Sequence, residues 1–277
     1  CISLAATLFR LADPTHPLTK SAVRLGIAAV LMAPLALRAR GRGALDARTV
    51  RHALLAGLCY AVHFGSWVWS LSLTSVAASV TLVTATPILL AAWALASGRD
   101  RPTPRHGVAI ALSTLGVVII GSHDSGGGAG SLAGDGLALL GAAGMAGYLL
   151  IARRLGSFDV WAFSCVACAT ASGLLFTVAG GAGIDVLPAT GASWAYLAIA
   201  ALLPQMVGHT LLTWAVRRTR PVVVGIATVG EPVIATVIAW LWIAEPVAPG
   251  IALGGIVTLV GVGLALSKPT GPRKTSA

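Results

Sequence analysis

Nine apolar runs recur along the 277-residue chain, at 18–37, 53–73, 77–96, 107–121, 134–151, 161–180, 194–216, 222–242 and 249–266, each bounded by charge or by Gly and Pro. Runs of about 17–25 apolar residues are long enough to cross the bilayer core as helices. A tenth apolar stretch at 1–9 has about half that length. No basic n-region or cleavage site precedes it, so it reads as the end of a first spanning helix whose start is missing, not as a signal peptide. Only 10% of the residues are charged and 56% are hydrophobic, against roughly 25% and 45–50% in soluble domains. That excludes a water-soluble globule and a disordered chain. The expected fold is an all-α integral membrane protein with ten transmembrane helices.

The loops set its orientation. With the partial stretch counted as span 1, 16 of the 19 Lys and Arg residues fall on one side of the membrane. Arg10, Lys20 and Arg24 fall on the other, whose remaining loops carry Asp124, Asp135, Asp185 and Glu245. Basic loops stay cytoplasmic, so both termini are expected in the cytoplasm, with the chain multi-pass in the cytoplasmic (inner) membrane. The net charge of +10 is spread between apolar runs, without a basic patch interleaved with aromatics, so nucleic acid is not an expected partner. The bilayer and a small-molecule substrate are. Nothing in the residues speaks to the oligomeric state.

Three of the four cysteines (Cys59, Cys165, Cys168) lie inside apolar runs. Cys165 and Cys168 have CxxC spacing but no second pair or nearby ligand His, and read as small helix residues rather than a metal site. Most of the eight Trp residues fall near span ends, as an interfacial belt requires. Residues His123, Asp124 and Ser125 sit together on a glycine loop, which cannot hold triad geometry. Arg24 reads as a structural residue near the outer end of span 2, snorkelling to the headgroups or pairing with Asp13.

The two halves match without gaps at a shift of 145 residues. Trp69 falls on Trp214, Thr74 on Thr219, Pro87 on Pro232, Asp100 on Glu245, Pro104 on Pro249 and Gly116 on Gly261. A unit of five spans is odd, so the second copy must enter the membrane from the opposite side. The expected organisation is a first five-helix repeat over 1–121 with helix 1 incomplete, a Gly/Ser-rich external loop over 122–133, a second repeat over 134–266 and a basic cytoplasmic tail over 267–277. Inverted repeats of this kind characterise secondary transporters, with the site near the midplane between them.

Two strings carry a resemblance. The first runs Trp69-Ser-Leu-Ser-Leu-Thr-Ser-Val-Ala-Ala-Ser and on to Thr86-Pro87. The second runs Gly208-His-Thr-Leu-Leu-Thr-Trp-Ala-Val-Arg, followed by Gly230-Glu-Pro-Val and Ala244-Glu-Pro. Both resemble the EamA branch of the drug/metabolite transporter superfamily, over essentially the whole chain. The resemblance implies two inverted five-helix bundles around a central cavity, and export or exchange of small metabolites, amino acids among them.

The candidate substrate path follows from polar residues that share helix faces. In span 3 these are Tyr60, His63, Trp67, Ser70 and Thr74, at spacings of three and four; in span 8 they are Gln205, His209 and Thr213. Span 4 adds Thr81 and Thr84, and span 9 adds Thr228 and Glu231. In lipid such faces must turn inward, to line a wetted path or to bond neighbouring helices. Glu231 is the single acidic residue expected deep in a span, where a charge costs roughly 2.5–3.5 kcal/mol. Glu231 and His209 are the proton-coupling candidates, with His63 expected near His209 across the pseudo-twofold axis. Pro87 and Pro232 mark helix breaks or hinges. No catalytic residue, metal or cofactor is expected other than a coupling proton. Two alternatives stand beside a carrier: a membrane-embedded enzyme using His63, His209 and Glu231, and a passive metabolite channel.

Overall fold

The structure, a computed structural model, describes residues 1–98, 103–122, 129–244 and 249–266. Among these every regular element is helical. They are α1 (Leu4–Leu11), α2 (Pro17–Gly41), α3 (Ala47–Ser70), α4 (Val76–Val83), α5 (Thr86–Ser97), α6 (Pro104–Ser122) and α7 (Ala129–Leu155). Then follow α8 (Val160–Gly181), α9 (Gly191–Ala200), a π-helical segment (Ala201–His209), α10 (Thr210–Val216), α11 (Pro221–Thr228), α12 (Glu231–Ile243) and α13 (Pro249–Leu266).

Seven stretches among the described residues are long and apolar enough to cross a membrane: Pro17–Gly41, Ala47–Ser70, Val76–Ser97, Leu132–Leu155, Val160–Gly181, Gly191–Val216 and Pro221–Ile243. The chain is an integral membrane protein. Asp100, Glu245, residues 123–125 and the tail 267–277 lie outside the described residues. The loop expected over 122–133 is shorter than its composition suggests. Helix α7 already begins at Ala129, because Ala129, Leu132 and Ala133 continue the helix despite the glycines between them.

Most helices that start near a loop have a side-chain cap. Asp46, Ser75, Asp159 and Thr190 accept the backbone N–H of Thr49, Ala78, Ala162 and Ser193, and His16 does so for Leu18 ahead of Pro17. Each satisfies a donor that the helix itself leaves open. Helices α5 and α12 differ. They follow short breaks at Thr84–Ala85 and Val229–Gly230, lack a side-chain cap, and carry Pro87 and Pro232 in their first turn. Proline is tolerated there because the N–H it removes has no helical partner. The two breaks are equivalent at the shift of 145, as are the starts of α4 and α11, of α5 and α12, and of α6 and α13.

Small residues let the helices approach closely, as packing in lipid requires. Helix α3 lies between α7 and α8, α2 packs on α8, and α6 packs on α13. At Gly144 an added Cβ would lie 2.7 Å from the His63 nitrogen, so α7 meets α3 backbone to backbone. In the α6–α13 pair, Gly116 faces Thr258 and Gly261 faces Ser113. These contacts map onto each other at the shift of 145. The aromatic residues divide: Trp69, Trp161, Trp194, Trp214, Trp240 and Trp242 are exposed, whereas Trp67 is buried. Trp67 therefore does not belong to the interfacial belt.

Candidate functional site

Where α3, α4, α7, the π-helical segment and the start of α12 converge, they form a partly open cavity of about 30 Å³. That is room for about two waters. Its wall includes His63, Trp67, Thr84, His209, Thr228 and Glu231, six of the polar residues singled out above, with Thr86, Met145, Leu149, Leu212, Val83 and Ile2. The face spacing on α3 works because residues three and four apart point the same way. It places His63 and Trp67 in stacked contact, ring centroids 5.8 Å apart.

The other named residues stand outside this wall. Tyr60 is buried and stacks on Tyr148 at 3.8 Å. Thr213 donates to the His209 carbonyl and accepts a 2.6 Å hydrogen bond from the Tyr148 hydroxyl. Ser70 bonds Ser79 and donates to the Trp67 carbonyl. Thr81 is buried with its hydroxyl unpartnered. Gln205 is turned to Arg24. Tyr148 is a member of this cluster that the sequence pattern did not mark; it stands as an isolated aromatic in the Gly/Ala-rich run of α7.

The two histidines expected to approach each other do so, with ring centroids 6.3 Å apart. His63 donates through Nδ1 to the Gly141 carbonyl at 2.8 Å, the tautomer a carbonyl partner requires, which leaves Nε2 as an acceptor. Both ring nitrogens of His209 lack a hydrogen-bond partner, and so does the indole N–H of Trp67. Buried polar groups are normally satisfied, so these three unpartnered atoms, on two residues of the cavity wall, stand out. Glu231 is the one carboxylate of the wall and the first residue of α12. There the unbonded N–H groups of a helix start favour negative charge.

Arg24 departs from its expected place. It neither snorkels nor meets Asp13, whose carboxylate pairs with Lys20 instead. Arg24 is 0% exposed. Its guanidinium lies 4.4 Å from the Phe64 ring centroid and 5.3 Å from that of Phe9, and Nη2 donates to Gln205 Oε1 at 2.9 Å. Phe64 in turn packs on His209 at 5.2 Å. Arg24 thus sits one side chain behind the cavity wall and interacts electrostatically with Glu231, His63 and His209. Sequence position alone hid this, because Phe9, Phe64 and Gln205 reach it from distant stretches of the chain.

Among the described residues no group of three or more His, Cys, Asp or Glu side chains is placed to hold a metal ion. The polar side chains of the cavity wall can form hydrogen bonds to a small guest.

Comparison with known proteins bears on the fold and the family. Twenty-one solved chains match. One, described only as the crystal structure of a protein, superimposes with a TM-score of 0.73 at 17% identity, over 95% of this chain and 92% of that one. At that identity the likeness concerns the fold alone. No curated protein matches the sequence. The profile of the EamA-like transporter family matches twice, over residues 1–122 and 132–267. The chain belongs to the EamA-like transporter family, within the drug/metabolite transporter superfamily.

Proposed function

We propose that this chain is a secondary carrier that exports or exchanges small polar metabolites, amino acids or related compounds, by alternating access. The observation that carries the reading is the cavity itself. It lies where broken helices from both halves meet and is lined by Trp67 and His209, whose unpartnered polar atoms are buried, beside the carboxylate of Glu231. Broken helices at a central site are the usual architecture of such carriers, and the breaks before α5 and α12 supply them. The recurrence of helix starts and of the Gly116 and Gly261 contacts at one shift supports two five-helix repeats. With the 16-to-3 split of basic residues it favours ten spans in inverted halves, and cytoplasmic termini in the inner membrane.

A carrier and a passive channel differ in kinetics. Reconstituted in proteoliposomes loaded with unlabelled substrate, a carrier drives transient uphill accumulation of label by counterflow, and its flux saturates. Linear flux without counterflow would replace the carrier reading with the channel. Turnover of substrate to a new compound would favour an enzyme using His63, His209 and Glu231.

A further inference from the structure

The core holds a cation with no directly bonded anion. Arg24 is completely buried, and among the described residues no carboxylate forms an ion pair with it, although Glu231 interacts with it electrostatically. Of its guanidinium nitrogens only Nη2 has a partner, the neutral amide oxygen of Gln205. Nε and Nη1 are buried and unpartnered. Buried charges in proteins are normally paired, since an uncompensated one is strongly destabilising. Two phenyl rings give cation–π contact from Phe9 and Phe64, but neither ring satisfies an N–H.

The acceptor that Arg24 does have is mounted on irregular backbone. Gln205 and His209 lie one turn apart on the π-helical segment Ala201–His209, which also contains Pro204. π-Helical turns have poorer ladders than α-helices and are frequent at functional sites. His209 lines the cavity, and Gln205 lies one turn away on the Arg24 side. A return of this segment towards α geometry would turn both residues together.

We propose that the transported substrate carries a carboxylate, and that this carboxylate displaces Gln205 from Arg24 during the cycle. The inference rests on the carrier reading. Nη2 forms a fork with Nε on one side and with Nη1 on the other. A carboxylate taking the place of Gln205 therefore engages Nη2 and one of the two orphans as a bidentate pair. A phosphate dianion would bring a second charge, and the nearby buried cation, Lys20, is already committed to Asp13. Gln205 is then a neutral stand-in that keeps Arg24 partly satisfied while the site is empty. Arg24 selects the anionic group, and Gln205 acts as a positioning residue.

The test uses the full chain in detergent, with thermal-shift titrations of a panel of small carboxylates (amino, 2-oxo and hydroxy acids), each beside its uncharged amide, and of inorganic phosphate. Counterflow in proteoliposomes is measured in parallel for the whole panel. Wild-type protein should bind one or more carboxylates and not their amides or phosphate. Arg24→Gln should weaken that binding by at least about 30-fold, as loss of one partner of a desolvated charge pair does. Gln205→Glu gives Arg24 a permanent internal carboxylate. It should raise the Tm of the empty protein and abolish carboxylate binding. Were Arg24 only structural, Gln205→Glu would raise Tm and leave binding intact, which overturns the proposal. The double variant Arg24→Met with Gln205→Leu removes the buried charge and should fold without binding carboxylates; full carboxylate affinity there also overturns it. Equal binding of amides or of phosphate by wild type rejects the carboxylate while leaving the carrier. If wild type shows no counterflow for any compound of any charge, the carrier reading itself fails.

Discussion

Replacing Glu231 with glutamine separates a coupling proton from a structural acid. Glu231 is the single carboxylate in the cavity wall, so a carrier that uses it moves one proton per cycle. Each pH unit across the membrane is then worth about 1.36 kcal/mol of driving force, which is roughly a tenfold substrate ratio. Proteoliposomes with an imposed gradient of one pH unit, and the potential clamped by potassium and valinomycin, should therefore accumulate substrate about tenfold with the wild-type chain. Glutamine keeps the shape of the side chain but cannot release a proton. Glu231→Gln should bring the steady ratio to about one, while counterflow, which needs no proton, stays within about twofold. His209→Gln should behave alike if the two groups share the proton, and the double variant should then be no worse than either single one. A tenfold ratio retained by Glu231→Gln would refute the argument and leave the carboxylate as part of the scaffold.

Three further outcomes are expected. Gly261→Val drives a branched side chain into Ser113 and the Ala109 carbonyl across the α6–α13 contact; overpacking of this sort costs about 1–3 kcal/mol, read as a fall in Tm, with Gly116→Val equivalent. Hydrogen bonds from the Thr49 side chain and backbone hold the carboxyl of Asp46 below its usual range, so its contribution is complete above the unfolded pKa of about 3.9 and disappears as pH falls through the lower folded value. Asp46→Asn keeps the cap and should remove that dependence from Tm measured against pH. Single cysteines at Ser122 and Gly43, in a chain otherwise free of cysteine, should react with an impermeant maleimide from outside intact cells at Ser122 and not at Gly43; the reverse pattern would overturn the orientation.

Seven of the spans were legible because lipid imposes one requirement on every stretch, and the apolar run 161–180 falls within Val160–Gly181. The breaks were legible less sharply. Pro87 and Pro232 drew attention to them, but the breaks fall two or three residues earlier, at Thr84–Ala85 and Val229–Gly230, because proline sits comfortably in a first turn. On α3 and the π-helical segment the spacing correctly placed His63, Trp67 and His209 together, but could not tell cavity lining from packing. Tyr60 and Thr213 share those faces and spend their polar groups or rings on Tyr148 instead. The apolar portion of the wall, Val83, Met145, Leu149 and Leu212, was illegible, since a residue facing lipid and one facing a guest have the same chemistry. Arg24 is deceptive for a related reason. Two turns inside α2 it resembles any snorkelling arginine, and only tertiary partners distant in sequence decide otherwise.

The distance between Arg24 and its partner has a consequence for how the protein is made. Gln205 follows Arg24 by 181 residues. At synthesis rates of about 5–20 residues per second, roughly 10–35 s pass between the emergence of the two side chains from the ribosome. During that interval α2 holds an arginine whose amide acceptor does not yet exist. Until then it must remain beside the insertion machinery, reach the headgroups, or be shielded by Phe9 and Phe64 from its own half. The first half alone would hold Arg24 without its amide acceptor. Insertion of the second half therefore completes the first, and the two halves become stable together.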